Sequence, residues 1–230
     1  MNLDGAVVLV VGASGGLGSR IAAHLRAAGA TVVRTGRTPA RISGPGAYLA
    51  DLRTPQGAES AVAAAVDAHG RLDGVVIAAG VVAFGPAAEV SDETLEELIE
   101  VNTLGPIRLL RAAVPHLLAS AEAGREPFVV TLSGAVSERP TAGLAAYSAS
   151  KAGLAAFVQA AGRELRRSGI RLLDARPGHT STGLSTRALT GTAPAFGTGL
   201  DPDAVAARIV VALRDGERDL PSAAFEHGPR

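Results

Sequence analysis

Tyr147 and Lys151, in the run Tyr147-Ser148-Ala149-Ser150-Lys151, are the pair whose types and spacing could do chemistry. Lys151 is the single lysine of the chain, every other basic side chain being arginine, and Tyr147 is one of two tyrosines. On a helix, residues four apart lie one turn apart on the same face. That spacing brings a phenol and an ammonium to one site. A phenol titrates near ~10 and is a poor base at neutral pH, but a nearby cation favours the phenolate and lowers that value. Tyr147 could then exchange a proton with a substrate oxygen near pH 7. An ammonium suits the task as a compact point charge, where a guanidinium presents a wide planar fork. Taken alone, the spacing fits equally an incidental pair at a half-exposed helix start, and the surrounding elements must decide.

Composition narrows the setting. The 230 residues suffice for one large α/β domain. Formal net charge is zero, with no long block of like charge, which argues against nucleic acid or an anionic membrane as the main partner. The chain has no cysteine, so disulfides, zinc thiolates and thiol nucleophiles are excluded. Met1-Asn2-Leu3-Asp4 has no basic leader region, and the longest apolar run, Val75 to Phe84, is too short to span a bilayer and contains Gly80. The expectation is a soluble cytoplasmic protein. His24, His69, His116 and His227 are scattered without metal-ligand spacing, and no metal site is expected.

Read in order, strands and helices alternate. Ala6 to Val11 is a continuous apolar run, as for a strand buried on both faces. Gly12-Ala13-Ser14-Gly15-Gly16-Leu17-Gly18 follows, then a helix with Ile21, Ala22, Leu25 and Ala28 on one side, stopped at Gly29. Further strands are expected at Ala30–Thr35, Ala47–Ala50, Gly74–Gly80, Pro127–Ser133 and Ile170–Ala175, with a short edge strand at 218–220. Pro39 to Gly46 reads as a loop. Helices are expected from Thr54-Pro55 to Ala68, from Ser91 to Val101, from Pro106 to Ala121, from the Tyr147 stretch to Arg167, and from Asp201-Pro202 to Leu213. The pattern predicts a single α/β domain over 1–230, a doubly wound parallel sheet of the Rossmann type with helices on both faces.

In such sheets ligands bind outside the carboxyl ends of the strands. The glycine turn, Arg37, Asp51, Gly80, Ser133 and Pro177-Gly178 all fall at such ends. Glycines between a buried strand and a helix let the backbone approach a pyrophosphate at the positive helix N-terminus. The spacing Gly12-x-x-x-Gly16-x-Gly18 differs from the GxGxxG fingerprint. After the second strand, Gly36 offers no carboxylate for a ribose 2′-hydroxyl, whereas Arg37 offers a bidentate cation for a 2′-phosphate; NADP(H) is expected over NAD(H). Asp51 could accept a hydrogen bond from an adenine amino group.

From Asp4 to Thr182 the ordered set resembles the short-chain dehydrogenase/reductase family. Gly12, Gly16 and Gly18 match its glycine motif, Asp51 its adenine-binding aspartate, and Asn102 its helix asparagine that supports a proton-relay water. Tyr147 and Lys151 match its Tyr-x-x-x-Lys, and Pro177, Gly178 and Thr182 its nicotinamide-holding segment. The resemblance implies hydride transfer between a nicotinamide and a carbonyl or alcohol carbon, with Tyr147 as acid/base. Lys151 would hold the ribose hydroxyls and lower the Tyr147 pKa. Cofactor contacts are then expected from Gly12, Ser14, Gly15, Gly16, Leu17 and Gly18 in the turn, and from Arg37, Asp51 and Leu52 beyond the second and third strands. Ala79, Gly80, Tyr147 and Lys151 complete the middle of the site, with Pro177, Gly178, Thr180 and Thr182 at its far side.

Three departures stand out. The family's catalytic serine sits thirteen residues before the tyrosine, and that position is Gly134. Ser133 is expected to take over if the strand end is kinked, with Ser137 a weaker candidate, because one step along a strand turns a side chain to the other face. The usual polar residues at Val11 and at Ile77-Ala78-Ala79 are apolar, which predicts dry packing between two neighbouring strands. A frequent C-terminal Asp-Gly-Gly is absent, which questions one tetramer contact. Residues 183–200 correspond to a substrate lid, with Leu184, Leu189 and Phe196 as an apolar cover. A homodimer or homotetramer through the 106–121 and 147–167 helices is expected. The resemblance implies a small carbonyl or alcohol compound as substrate. The alternatives are a catalytically weak nucleotide-binding sensor, motivated by Gly134, and a 3-oxoacyl-thioester reductase, with Arg108 and Arg111 meeting an acidic carrier.

Overall fold

The computed structural model describes residues 1–226; His227 lies outside the described residues. Seven parallel strands form one sheet. They are β1 (Val7–Val11), β2 (Thr31–Gly36), β3 (Ala47–Leu49), β4 (Gly74–Ile77), β5 (Phe128–Leu132), β6 (Arg171–Ala175) and β7 (Asp219–Leu220). Their spatial order is β3-β2-β1-β4-β5-β6-β7, so the chain reverses its direction of winding between β1 and β4. The six α-helices among the described residues are α1 (Gly16–Ala27), α2 (Pro55–His69), α3 (Asp92–Ile99), α4 (Gly105–Glu122), α5 (Ala145–Leu165) and α6 (Pro202–Asp215).

Helix starts follow side-chain chemistry. The Thr54, Ser91 and Asp201 side chains accept from the backbone N–H groups of Gly57, Thr94 and Asp203, satisfying donors that a helix start leaves unpaired. Pro55 and Pro202 occupy first-turn positions where no N–H is needed. Three expectations on element ends change, the first being that β4 stops at Ile77 and not at Gly80. The loop at 39–46 contains a short 3-10 turn, Pro39–Arg41. The helix expected to end at Val101 becomes a π turn, Glu100–Leu104, that runs directly into α4. A π turn widens the spiral and redirects side chains. Here it faces Asn102 fully inward.

Alternation along each strand feeds two apolar layers. Val8, Val10, Val76, Val130 and Leu173 pack with Ile21 and Leu25 of α1 and Ile209 of α6. Leu9, Val11, Val75, Ile77, Val129 and Leu172 pack with α2, α4 and α5. Burial on both faces explains why these strands read as unbroken apolar runs. Val11 and Ile77 are register partners, each 2 % exposed, and both belong to the second layer.

Gly74 opens β4 beneath the buried ring of Phe128; a Cβ there would lie 2.3 Å from the ring tip. Gly74→Ala should cost about 1–3 kcal/mol through overpacking, read by urea denaturation. An unchanged midpoint would mean that the ring has room to move.

Candidate active site

One cavity of about 750 Å³ opens at the carboxyl ends of the strands, centred on the point where the strand order reverses. Gly12, Ser14, Gly15, Gly16 and Leu17 form one end. Gly12 adopts φ +81°, and a Cβ on it would sit 2.5 Å from the Ala79 nitrogen, so the turn lies directly on the end of β4. Gly18 does not line the cavity; a Cβ there would strike the Gly12 carbonyl at 2.3 Å, so this glycine lets α1 pack onto its own turn. The N-terminus of α1 has no side-chain cap and no acid in its first turn. Uncapped N–H groups and a positive dipole end suit a pyrophosphate. A Cβ on Gly16 would lie 2.5 Å from Cβ of Thr182, which brings the segment after β6 against the same turn.

Arg37, Asp51 and Leu52 line the cavity beyond β2 and β3. Asp51 accepts from the Arg53 guanidinium at 3.0 Å, and this pairing holds its carboxyl below the usual range. Glu97 links Arg37 at 3.4 Å to Arg53 at 3.7 Å. The Arg37 side chain remains 52 % exposed beside this pairing.

The middle of the cavity is built on α5. Lys151 is 5 % exposed and its Nζ donates to the Leu132 carbonyl at 2.8 Å. A Cβ on Gly80 would stand 3.4 Å from that Nζ and 3.3 Å from Asn102 Oδ1, so the missing side chain leaves the ammonium its place. Asn102 clamps Val81: its Nδ2 donates to the Val81 carbonyl at 2.9 Å and its Oδ1 accepts from the Val81 N–H at 3.0 Å. The same amide donates to Ser150 Oγ at 3.0 Å. Asn102 therefore shapes the wall from behind and does not line it.

Tyr147 faces the cavity with its ring against Val82, Phe84 and Leu144. Burial pushes its hydroxyl up to about 12. This reverses, for the free protein, the expected lowering by Lys151. The ammonium is turned to a backbone carbonyl, and the apolar ring environment disfavours the phenolate. Burial also pulls Lys151 down to about 8, against the pull of the Asp174 carboxylate.

Ser133 requires a correction. The strand end is kinked, with Gly134 at φ +72°, yet the Ser133 hydroxyl does not turn into the cavity. It is fully buried and donates to Asp174 Oδ2 at 2.5 Å. Ser137 donates to the Gly134 carbonyl at 2.7 Å and also stays out of the lining, where Gly134 itself forms the wall.

Pro177, Gly178, Thr180 and Thr182 complete the far side. Residues 183–200 lie over it, pinned by Leu189 N–H to the Val82 carbonyl at 2.8 Å and Phe84 N–H to the Thr190 carbonyl at 3.0 Å. Leu184, Leu189 and Phe196 all line the cavity, and the Phe196 ring stacks on His179 at 4.8 Å between centroids. Sequence reasoning did not single out Arg41, Arg139, Thr141 and Arg187, which also line it. They sit on turns with no periodic signal. Asp174 was also missed, although a lone carboxylate after Leu172-Leu173 in the sixth strand was visible.

Among the described residues no helix is long and apolar enough to cross a membrane, and no group of three or more His, Asp or Glu could hold a metal ion.

A doubly wound sheet with a glycine turn at its switch point and a Tyr-x-x-x-Lys helix beside it defines a class of dehydrogenases. Residues 6–192 match the short chain dehydrogenase family. The 3-oxoacyl-(acyl-carrier-protein) reductase of Vibrio cholerae is 29 % identical over 197 residues, covering 82 % of this chain and 79 % of that protein. The crystal structure of a 3-ketoacyl-(acyl-carrier-protein) reductase from Brucella melitensis complexed with NADH aligns with a TM-score of 0.87 at 26 % identity, over 96 % of this chain and 97 % of that one. A short chain dehydrogenase from Burkholderia cenocepacia in complex with NADP aligns with a TM-score of 0.82 at 27 % identity, over the same shares. The chain belongs to the short chain dehydrogenase family and is a dehydrogenase/reductase.

The Lys151 shift has a consequence for the free protein. Between about 8 and the ordinary 10.5 the unfolded chain holds the lysine proton while the folded chain has released it. Stability should therefore rise with pH across that window and stay flat in this respect below it. Lys151→Met should abolish the rise, measured by urea denaturation from pH 7 to 10; a rise of the same size in the variant would refute burial of the ammonium.

Proposed function

We propose that this enzyme reduces a ketone, or oxidises the matching secondary alcohol, with NADP(H) as cofactor. The uncapped start of α1 and the glycine turn would hold the pyrophosphate, and Asp51 the adenine. Arg37 would take the 2′-phosphate, since no carboxylate follows β2 to receive a free 2′-hydroxyl. The bound cofactor would supply the hydride. Tyr147 carries the proton. With its phenol at about 12 it stays protonated at neutral pH, the form a carbonyl oxygen needs when it becomes an alcohol. Lys151 supports it by its charge. Because Gly134 brings no hydroxyl to the wall, Tyr147 is the group that meets the reacting oxygen. The observation that carries the reading is the cavity that holds Tyr147, Lys151, the glycine turn and Arg37 in one continuous wall.

The substrate end favours a carbonyl with an apolar body. Val82, Phe84, Val136, Leu144, Leu184 and Phe196 line it. A 3-oxoacyl thioester is the second reading, supported by these apolar walls and by the named activities of the Vibrio and Brucella relatives. The outward residues of α5, Ala149, Gly153, Ala156 and Ala160, are small and uncharged, and fit close packing against a second copy. Ala156→Glu should lower the sedimentation-derived mass of the assembly; an unchanged mass removes that face from the interface.

NADPH oxidation with a panel of ketones and 3-oxoacyl thioesters should show turnover in the wild type and a loss of at least about 100-fold in Tyr147→Phe. Arg37→Glu should raise the KM for NADPH and leave that for NADH nearly unchanged. Tight NADPH binding without turnover of any panel member would favour a nucleotide sensor instead.

A further inference from the structure

After Arg171 at its start, β6 is aliphatic except for one carboxylate. Asp174, 5 % exposed, lies on the sheet face that packs against α5. Thr131 Oγ1 donates to its Oδ1 at 2.7 Å, Ser133 Oγ to its Oδ2 at 2.5 Å, and the Arg176 guanidinium to Oδ2 at 3.2 Å. A buried carboxylate is expensive even when bonded, and apolar residues of similar size would fill the space at less cost. Its place in the fold therefore asks for a reason beyond stability.

That reason lies in what its two hydroxyl partners flank. Thr131 and Ser133 stand either side of Leu132, whose carbonyl accepts from Lys151 Nζ. One carboxylate grips both neighbours of the peptide unit that holds the ammonium. We infer that Asp174 is a positioning residue for Lys151, fixing the Leu132 carbonyl through Thr131 and Ser133 and supplying the counter-charge that keeps the amine protonated in a dry site. The inference rests on the role proposed above for Lys151 in turnover. It also accounts for the Ser133 hydroxyl, which is committed to this network and not to the substrate.

The other titratable groups nearby do not substitute for Asp174. Tyr147, on the same helix, stays neutral until about 12. Arg176, on the strand side, is cationic and divided among Asp174, Glu138 and Asp219. Glu138, beyond the turn at 135–137, is held by Arg176 and Ser222. Glu100, on the π turn, is paired with Arg108. The Asp174 carboxylate opposes the effect of burial on Lys151.

Because Lys151 is the only lysine in the chain, carbon-13 labelling at Cε gives one lysine resonance, and its titration reads this amine in the free protein without turnover. The wild type should titrate at about 8. Asp174→Asn should lower that midpoint by about one unit or more, since an opposite charge is withdrawn from a buried site. Asp219→Asn, which removes an exposed partner of Arg176, should leave it in place. Where Asp174→Asn does not fold, Asp174→Leu removes the same charge without a polar group to satisfy, and the same fall is expected. In turnover the alkaline limb of the kcat/KM profile should move down by the same amount, with KM for the carbonyl nearly unchanged. An unmoved lysine midpoint in a folded Asp174 variant overturns the inference. A lowered midpoint with an unmoved pH profile upholds it and instead overturns the role of Lys151 in turnover.

Discussion

The site depends on one ammonium kept out of water. Lys151 sits at the seam between α5 and the end of β5, where it gives a hydrogen bond to a strand carbonyl left over by the sheet ladder. Much else in the neighbourhood can be read as making room for it. Gly80 withholds a side chain, Asn102 holds the Val81 main chain against drift, and the π turn swings Asn102 inward to do so. The rest of the sheet supplies rigidity. Its strands are packed on both faces by aliphatic layers, so the positions of their carboxyl ends, and hence of the cavity wall, are set by the core.

The phenol and the amine make different demands on the same cavity. Burial raises the Tyr147 phenol to about 12 and lowers the Lys151 ammonium to about 8, so each is pushed toward its neutral form. Spacing of four along a helix brings the two side chains to one region, but it does not make them partners. In the free protein each has settled on its own neighbours, the ring on Val82, Phe84 and Leu144, the ammonium on Leu132.

The architecture was legible because each strand and helix carries its own periodic or capping signal. The even and odd residues of β1 part cleanly between two layers, and Thr54, Ser91 and Asp201 mark helix starts at their positions. The glycine turn and the Tyr147–Lys151 pair were legible because spacing alone constrains them. Ser133 was not, because the direction of a side chain at a strand end depends on the backbone of the next residue and on what lies across the sheet. Gly134 in a left-handed conformation and Asp174 on the neighbouring strand settle it together, and neither effect is local in sequence. Arg139, Thr141 and Arg187 escaped notice for a related reason: irregular segments carry no period, and only the folded chain brings them over the pocket.

Gly134 also constrains how this lineage of sequences can change. A Cβ at that position would meet nothing nearer than the Pro177 carbonyl at 3.7 Å, so the space for a serine exists. The backbone there, at φ +72° and ψ 163°, belongs to a region that residues with a side chain rarely occupy. A hydroxyl introduced there by a single codon change would arrive on a main chain bent the wrong way for it. The peptide must swing back before any side chain at this position can settle, as a pawl must lift before its wheel turns.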